Sequence, residues 1–342
     1  MPQEVLLGFS GGIDSAASVD ILRKMGYSPR GLYIDILGDK AQREITEQRA
    51  KQLSLPLIIE DKSEFFQKEI IDYFYQSYLK ALTPAPCTVC NTKIKWASLS
   101  EVSKRVGIEK IATGHYFGVE KIKEKYYVIN GVDSIKNQSY YLWNIPQSVL
   151  SRVICPMRDA LKSDVMHRES SRGMRESMGV CFLRGVNYTQ QLKERYGSVI
   201  KKGKIIDTLG REVGEHEGFP FYTIGQKRGL DIKDKTKKYC IIGIDATTNT
   251  LTVGEDKDLN YYHLVLKDIN VVDMDELLQC ADTKVIIRGL GRNPGGSAKI
   301  DLVGDRLHIT LSEPAWAPAL GQPSVIYSQN RVLGGGILEK YY

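Results

Sequence analysis

The chain has 342 residues, 42% of them hydrophobic and 26% charged, with a formal net charge of +6. This is the composition of a globular protein with room for about two or three domains, and it excludes a low-complexity or repeat architecture. The opening MPQEVLLGFSGG lacks a basic leader and reaches glycine after a few apolar residues. Neither a secretory signal nor a membrane span is therefore expected, and the cytoplasm is the expected compartment. The positive excess suits a polyanionic partner without requiring one.

In chain order, EVLLGF (4–9), GLYIDI (31–36), PLIIED (56–61) and KIATGH (110–115) read as short strands, separated by helices near 14–25, 41–54, 64–82 and 91–107. This βαβα rhythm predicts an α/β fold, a parallel sheet covered by helices with ligands at the carboxyl ends of its strands. A hairpin is expected at 117–130 and helices near 137–150 and 160–177. Beyond residue 197 the texture changes to Gly-punctuated β segments, read as two small β domains joined within EDKDLNYYH (255–263). The expected division is 1–196, 197–258 and 259–342.

The segment Gly8, Phe9, Ser10, Gly11, Gly12, Ile13, Asp14, Ser15 follows a predicted strand and opens a helix. Glycines let backbone N–H groups approach phosphate oxygens, and the helix N-terminus adds partial positive charge. Asp14 is placed to orient the loop or to help hold a magnesium ion. No Gly-Lys-Ser/Thr closes the loop, so it is not a Walker loop, and it is not a dinucleotide fingerprint either. Instead SGGIDS resembles the signature of PP-loop ATP pyrophosphatases, which split ATP between its α and β phosphates.

Cys87, Cys90, Cys155, Cys181, Cys240 and Cys280 are spread along a chain with no expected leader, which argues for reduced thiols over a disulfide framework. Cys155, Cys240 and Cys280 lie beside apolar residues and read as core.

SGGIDS (10–15), PCTVCNTKIKW (86–96), ATGHY (112–116), KNQSYYL (136–142), SMGVCFL (177–183), GEHEGFPFYTIGQKRGL (214–230) and RVLGGGIL (331–338) occur in the order found in the tRNA-specific 2-thiouridylase family, which the chain resembles over nearly its whole length. The resemblance implies a PP-loop catalytic domain, a small central domain and a C-terminal β-barrel that together clamp the anticodon arm of tRNA. It implies ATP-dependent adenylation of O2 of uridine 34, then sulfur transfer from a persulfide or sulfide donor protein. Cys181 would carry the persulfide, and Cys90 would release its sulfur by forming a disulfide with Cys181. ATP would lie on Gly8 to Ser15, Ile34 and Gly114. The tRNA positions would be His115, Lys136, Asn137, Gln138, Ser139, Arg288 and Gln322, with Lys93, Lys95 and GQKRG (225–229) as further phosphate contacts.

The family commonly has an acidic residue three positions before the nucleophilic cysteine, where this chain has Cys87. Cys87, Cys90 and Cys181 could thus hold three irons of a 4Fe-4S cluster with the fourth left open for hydrosulfide. A persulfide–disulfide route, a zinc site joined by His115 and a redox Cys-x-x-Cys remain alternatives. A PP-loop ligase acting on a small carbonyl substrate and a non-catalytic tRNA-binding sulfur carrier are the competing functions.

Overall fold

The wholly buried run Val5–Leu7 forms the middle of strand β1 (Glu4–Gly8), the central strand of a parallel sheet covered on both faces. The computed structural model describes residues 2–170, 180–183, 185–234 and 236–342. From β1 the chain passes through α1 (Ile13–Lys24), β2 (Ser28–Asp35), α2 (Lys40–Gln52) and β3 (Leu57–Asp61). It then forms α3 (Ser63–Phe66), a π-helical turn (Gln67–Asp72), α4 (Tyr73–Tyr78), α5 (Pro86–Cys90), a second π-helical turn (Asn91–Trp96) and α6 (Ala97–Arg105) before β4 (Lys110–Thr113).

Next come the hairpin β5 (Phe117–Ile122) and β6 (Lys125–Asn130), the short helix α7 (Gln147–Leu150) and β7 (Val153–Ile154). The sheet order is β3-β2-β1-β4-β7, so the chain reverses its direction of winding between β1 and β4 and leaves a crevice at their carboxyl ends.

Two expected helices are corrected. Residues 137–150 form only a 3-10 turn at Ser139–Leu142 and then α7, because Pro146 holds an extended conformation between them. The helix expected at 64–82 ends at Tyr78, after which Ala81 takes φ +57° and the amide of Thr83 bonds the carbonyl of Leu320. The helix expected at 160–177 appears as α8 (Lys162–Ser170), and the rest of that range lies outside the described residues.

Helix α9 (Tyr188–Tyr196), capped by Asn187, leads into the central sheet of β8 (Gly203–Ile206), β9 (Glu212–His216), β10 (Asp231–Ile232), β11 (Cys240–Asp245) and β12 (Thr250–Gly254). The last sheet contains β13 (Asn260–Val271), β14 (Lys284–Ile286), β15 (Ala298–Val303), β16 (Arg306–Trp316), β17 (Pro323–Ser328) and β18 (Arg331–Tyr341). Its order is β14-β17-β18-β13-β16-β15, and the two edges meet where Ala298 N–H donates to the Thr283 carbonyl at 2.9 Å, which curls the sheet into a barrel. Among the described residues no helix is long and apolar enough to cross a membrane.

The hairpin β5–β6 leaves the parallel sheet and pairs with β18 instead, through Arg331 and Ile129. Val325, Tyr327 and Val332 of the barrel share one hydrophobic cluster with Trp96, Leu142 and Trp143, so the core runs from the α/β layer into the barrel. Glycines make that approach possible. A Cβ on Gly335 would lie 2.6 Å from the Ser324 carbonyl oxygen and 3.1 Å from the Trp143 ring. Gly335→Val should therefore lower the unfolding free energy by about 1–3 kcal/mol by overpacking, read from the urea midpoint.

Candidate active site: a phosphate loop beside three thiols

The loop between β1 and α1 is open towards the crevice. The N-cap of α1 is Gly12, which offers no side-chain cap, so the first amides of the helix can bind an anion. Inside the loop, Ser15 Oγ donates to the Gly12 carbonyl at 2.9 Å, and the Gly12 amide donates to Ser10 Oγ at 3.3 Å. Gly11 takes φ +72° with its missing Cβ against Thr46, and Arg49 donates to its carbonyl. These contacts from α2 fix the outer side of the loop.

The inner side is fixed by Gly114. A Cβ there would sit 2.9 Å from both the Asp14 carbonyl carbon and the Ser15 nitrogen, so only glycine lets the end of β4 meet the helix start. The cavity between them has a volume of about 250 Å³. Its walls include Gly8, Phe9, Ser10, Asp14, Ser15, Ile34, Gly114, His115, Gln138 and Lys95. Gly11, Gly12 and Ile13 are in the loop but not in the cavity wall.

Asp14 does not point freely into this space. Its Oδ1 accepts from Tyr116 Oη at 2.9 Å and from Lys162 Nζ at 2.7 Å. Lys162 is almost wholly buried and comes from the first residue of α8, 148 positions away. Nothing in the sequence singles out that lysine among the 47 Lys and Arg residues, and Thr46 and Arg49 were equally silent.

His115 and Gln138 line the cavity. Burial and the nearby Lys95 push the imidazole down to about 3, so it is neutral at physiological pH and cannot serve as a cation for phosphate. Ser139 is wholly buried, bonded to Asn130 Oδ1 at 2.8 Å and to Tyr327 Oη at 2.9 Å. It ties the α/β layer to the barrel, and its expected contact with tRNA is corrected: no surface of it reaches a partner. Tyr140 is core as well, donating to the Pro323 carbonyl at 2.9 Å. Asn137 braces the same turn, bonding Asn130 Oδ1 at 2.9 Å, with Lys136 half-buried beside it.

Arg288 and Gln322 lie far along the chain on the barrel, where Arg288 stacks 5.4 Å from the Trp316 ring and donates to the Ala317 carbonyl. Of the other expected phosphate contacts, Lys93 is paired with Glu69 at 2.6 Å and Lys227 with Asp256 at 2.6 Å.

The thiols are not in the cavity wall but lie behind Ile34 and Ile36. Cys90 is 5% exposed and packs in a cluster with Phe66, Ile70, Phe74 and Phe182, against which the cavity-lining Ile34 and Ile36 also pack. Phe182 meets Phe74 edge to face at 5.1 Å and Phe66 at 6.0 Å. Phe182 thus anchors the segment that carries Cys181 against the cluster that buries Cys90, while Cys181 and Cys87 themselves are exposed. Burial raises the Cys90 thiol to about 11 and also raises that of Cys181. Cys240 is buried, and Cys155 and Cys280 are half-buried beside the apolar clusters.

Among the described residues no group of three or more His, Cys, Asp or Glu side chains is arranged to hold a metal ion. The buried Cys90 and the exposed Cys87 and Cys181 therefore do not form a cluster cradle in this conformation, and His115 does not complete a zinc site with them.

A glycine-serine phosphate loop at the switch point of a parallel sheet, with a thiol cluster packed against its cavity wall and two β domains following, defines a nucleotide-dependent enzyme of the PP-loop class. Residues 3–185 match the tRNA methyl transferase HUP domain, residues 190–255 the tRNA methyl transferase PRC-barrel domain and residues 263–338 the aminomethyltransferase beta-barrel domain. The chain is 33% identical to the tRNA-specific 2-thiouridylase MnmA of Sulfurimonas denitrificans, over 99% of each chain. It is 35% identical to MnmA 1 of Bacteroides fragilis and 36% identical to MnmA 2 of Phocaeicola vulgatus, in both cases over 98% of this chain and 97% of the other. The chain belongs to the tRNA-specific 2-thiouridylase family.

With a Cys90 thiol near 11, its alkylation by a small reagent should rise about tenfold per pH unit from pH 7 to 10 without levelling off, as mapped by peptide mass spectrometry. The sign for stability is opposite. The folded thiol holds its proton above the usual value of 9, so this contribution is present below pH 9 and is lost as pH rises through about 11.

Proposed function

We propose that the chain is a tRNA-uridine 2-sulfurtransferase that uses ATP to make 2-thiouridine at position 34 of the anticodon. The observation that carries this reading is the shared wall: Ile34 and Ile36 line the phosphate-loop cavity and pack against the cluster that holds Cys90 and positions Cys181. A nucleotide site alone would serve any PP-loop ligase. A nucleotide site backed by an exposed thiol and a buried one serves sulfur transfer.

In this reading ATP, entering with its magnesium, lies on Gly8 to Ser15 with its adenine near Ile34 and its α-phosphate near Gly114. Magnesium is held chiefly by phosphate oxygens and water, so no cage of protein ligands is required. Uridine O2 attacks the α-phosphorus, pyrophosphate leaves and the N3 proton is lost. The exposed Cys181 takes up a terminal sulfur from a donor protein as Cys181–S–SH. Cys90 thiolate attacks the inner sulfur, giving the Cys90–Cys181 disulfide and HS⁻. Hydrosulfide adds to C2 of the adenylated uridine, AMP leaves with the C2–O2 bond broken, and the sulfur's proton moves to N3. Reduction of the disulfide by a dithiol completes the cycle.

The tRNA lies across all three domains, read as 1–196, 197–258 and 259–342. Lys136, Asn137, Gln138, Arg288 and Gln322 are its proposed contacts, with the neutral His115 facing the target base. No step passes through a metal cluster. Iron content and visible absorption after anaerobic purification, with thiolation supported by a persulfide alone, separate this route from a cluster-bound hydrosulfide.

Incubation with ATP-Mg, cysteine persulfide and unmodified tRNA bearing uridine 34 should yield 2-thiouridine and AMP in equal amounts. Cys90→Ala and Asp14→Ala should each abolish the product. Release of pyrophosphate with a small carbonyl compound and no tRNA would instead identify a ligase.

Lys162→Met frees Asp14 from its buried partner and should slow AMP formation by roughly 100-fold through misplacement of the loop, measured in single turnover. Its effect on tRNA affinity should be small.

A further inference from the structure

The proposed chemistry needs a thiolate at Cys90, and burial raises that thiol to about 11 even with the Lys95 charge acting to lower it. Without that charge the anion would be disfavoured further, and His115 cannot replace it, since its half-buried ring is neutral.

We propose that Lys95 is the catalytic cation of the sulfur-transfer step, stabilising the Cys90 thiolate and then the hydrosulfide that it releases. Three observations support this. Lys95 lines the phosphate-loop cavity, five residues after Cys90. Its position depends on the π-helical turn Asn91–Trp96, which starts immediately after Cys90. In an α-helix two residues five apart point about 140° away from each other. The wider i→i+5 winding turns the lysine back towards the face that carries the thiol. A π-helical turn gives up regular helical bonding for position, and here the lysine within it lines the cavity wall.

The second observation is the state of the ammonium group. Lys93, two residues earlier on the exposed side, is bonded to Glu69. Lys95 is half-buried, and among the described residues no carboxylate is in ion-pair contact with it. A half-buried ammonium without a carboxylate partner is available to an anion that enters the cavity.

The third is its reach. The Lys95 charge acts on Cys90, Cys181 and His115 together, favouring thiolate at both cysteines and the neutral ring at the histidine. One cation therefore serves both ends of the step. It lowers the cost of forming Cys90–S⁻, whose proton leaves to solvent, and it holds HS⁻ beside the α-phosphate end of the cavity until C2 is attacked.

This inference rests on the sulfurtransferase reading, but its first test does not need tRNA. The rate of Cys90 alkylation against pH is compared in the full-length wild type, Lys95→Met and Lys95→Arg, with thermal melting as the control for folding. Lys95→Met should shift the profile to higher pH and lower the rate at pH 8 roughly tenfold, the effect of about one unit. Lys95→Arg, which keeps the charge, should stay near the wild type.

In single-turnover thiolation with cysteine persulfide, the pH–rate profile of Lys95→Met should shift in the same direction, with Lys95→Arg partly restoring the rate. If Lys95→Met fails to fold, Lys95→Gln takes its place. An alkylation profile unchanged by loss of the charge overturns the proposal, as does a Lys95→Met enzyme that thiolates tRNA with the wild-type pH profile. A wild type that makes no 2-thiouridine overturns the sulfurtransferase reading, while the alkylation series still reports whether Lys95 acts on the thiol.

Discussion

The site is organised by a contact between two stretches of backbone. Gly114, at the end of β4, lies so close to the Asp14–Ser15 peptide that a single methyl group would overlap it. Strand pairing sets up this approach, because β4 runs parallel to β1 with Thr113 opposite Gly8. The chain leaving β4 must therefore cross the start of α1. That crossing narrows the crevice into a cavity and delivers His115 and, through the bond from the Gln138 amide to the Tyr116 carbonyl, Gln138 to its wall. Lys162 then reaches Asp14 from the far side, so the phosphate loop is held by β4, α2 and α8 at once.

The electrostatics of the site follow from partial burial. A thiol packed among Phe66, Phe74 and Phe182 is protected from oxidants and reagents because its anion is disfavoured there. The same burial makes it a poor nucleophile at neutral pH. The exposed Cys181 has the complementary property: it is reachable from solvent while its neighbour Phe182 packs in the cluster that buries Cys90. The two cysteines thus divide access and protection between them, which a single thiol cannot combine.

The barrel is more than an appendage to this arrangement. The β5–β6 hairpin leaves the sheet that precedes it and joins β18, and Ser139 and Tyr140 bond barrel groups directly. Residues 136–140 therefore lie in the hinge between the nucleotide layer and the C-terminal domain.

Much of this was written locally in the chain. The phosphate loop was legible because its glycines and serines carry backbone chemistry that depends only on adjacent residues, and the strand–loop–helix setting followed from short-range hydrophobic pattern. The parallel sheet was legible for the same reason, although β7, two residues long, gave no pattern to read. The thiols were legible as a motif, but their burial was not, since exposure depends on what packs over a helix. Ser139 looked like a surface contact within a matched block and is instead an interior bond to a tyrosine 188 positions away. Lys162 and the turn of Lys95 towards the cavity were decided by tertiary structure alone. Periodicity and capping act over a few residues and can be read in order along the chain. The partner of a charge, or the face on which a side chain ends, is set by contacts between segments that the sequence does not place side by side.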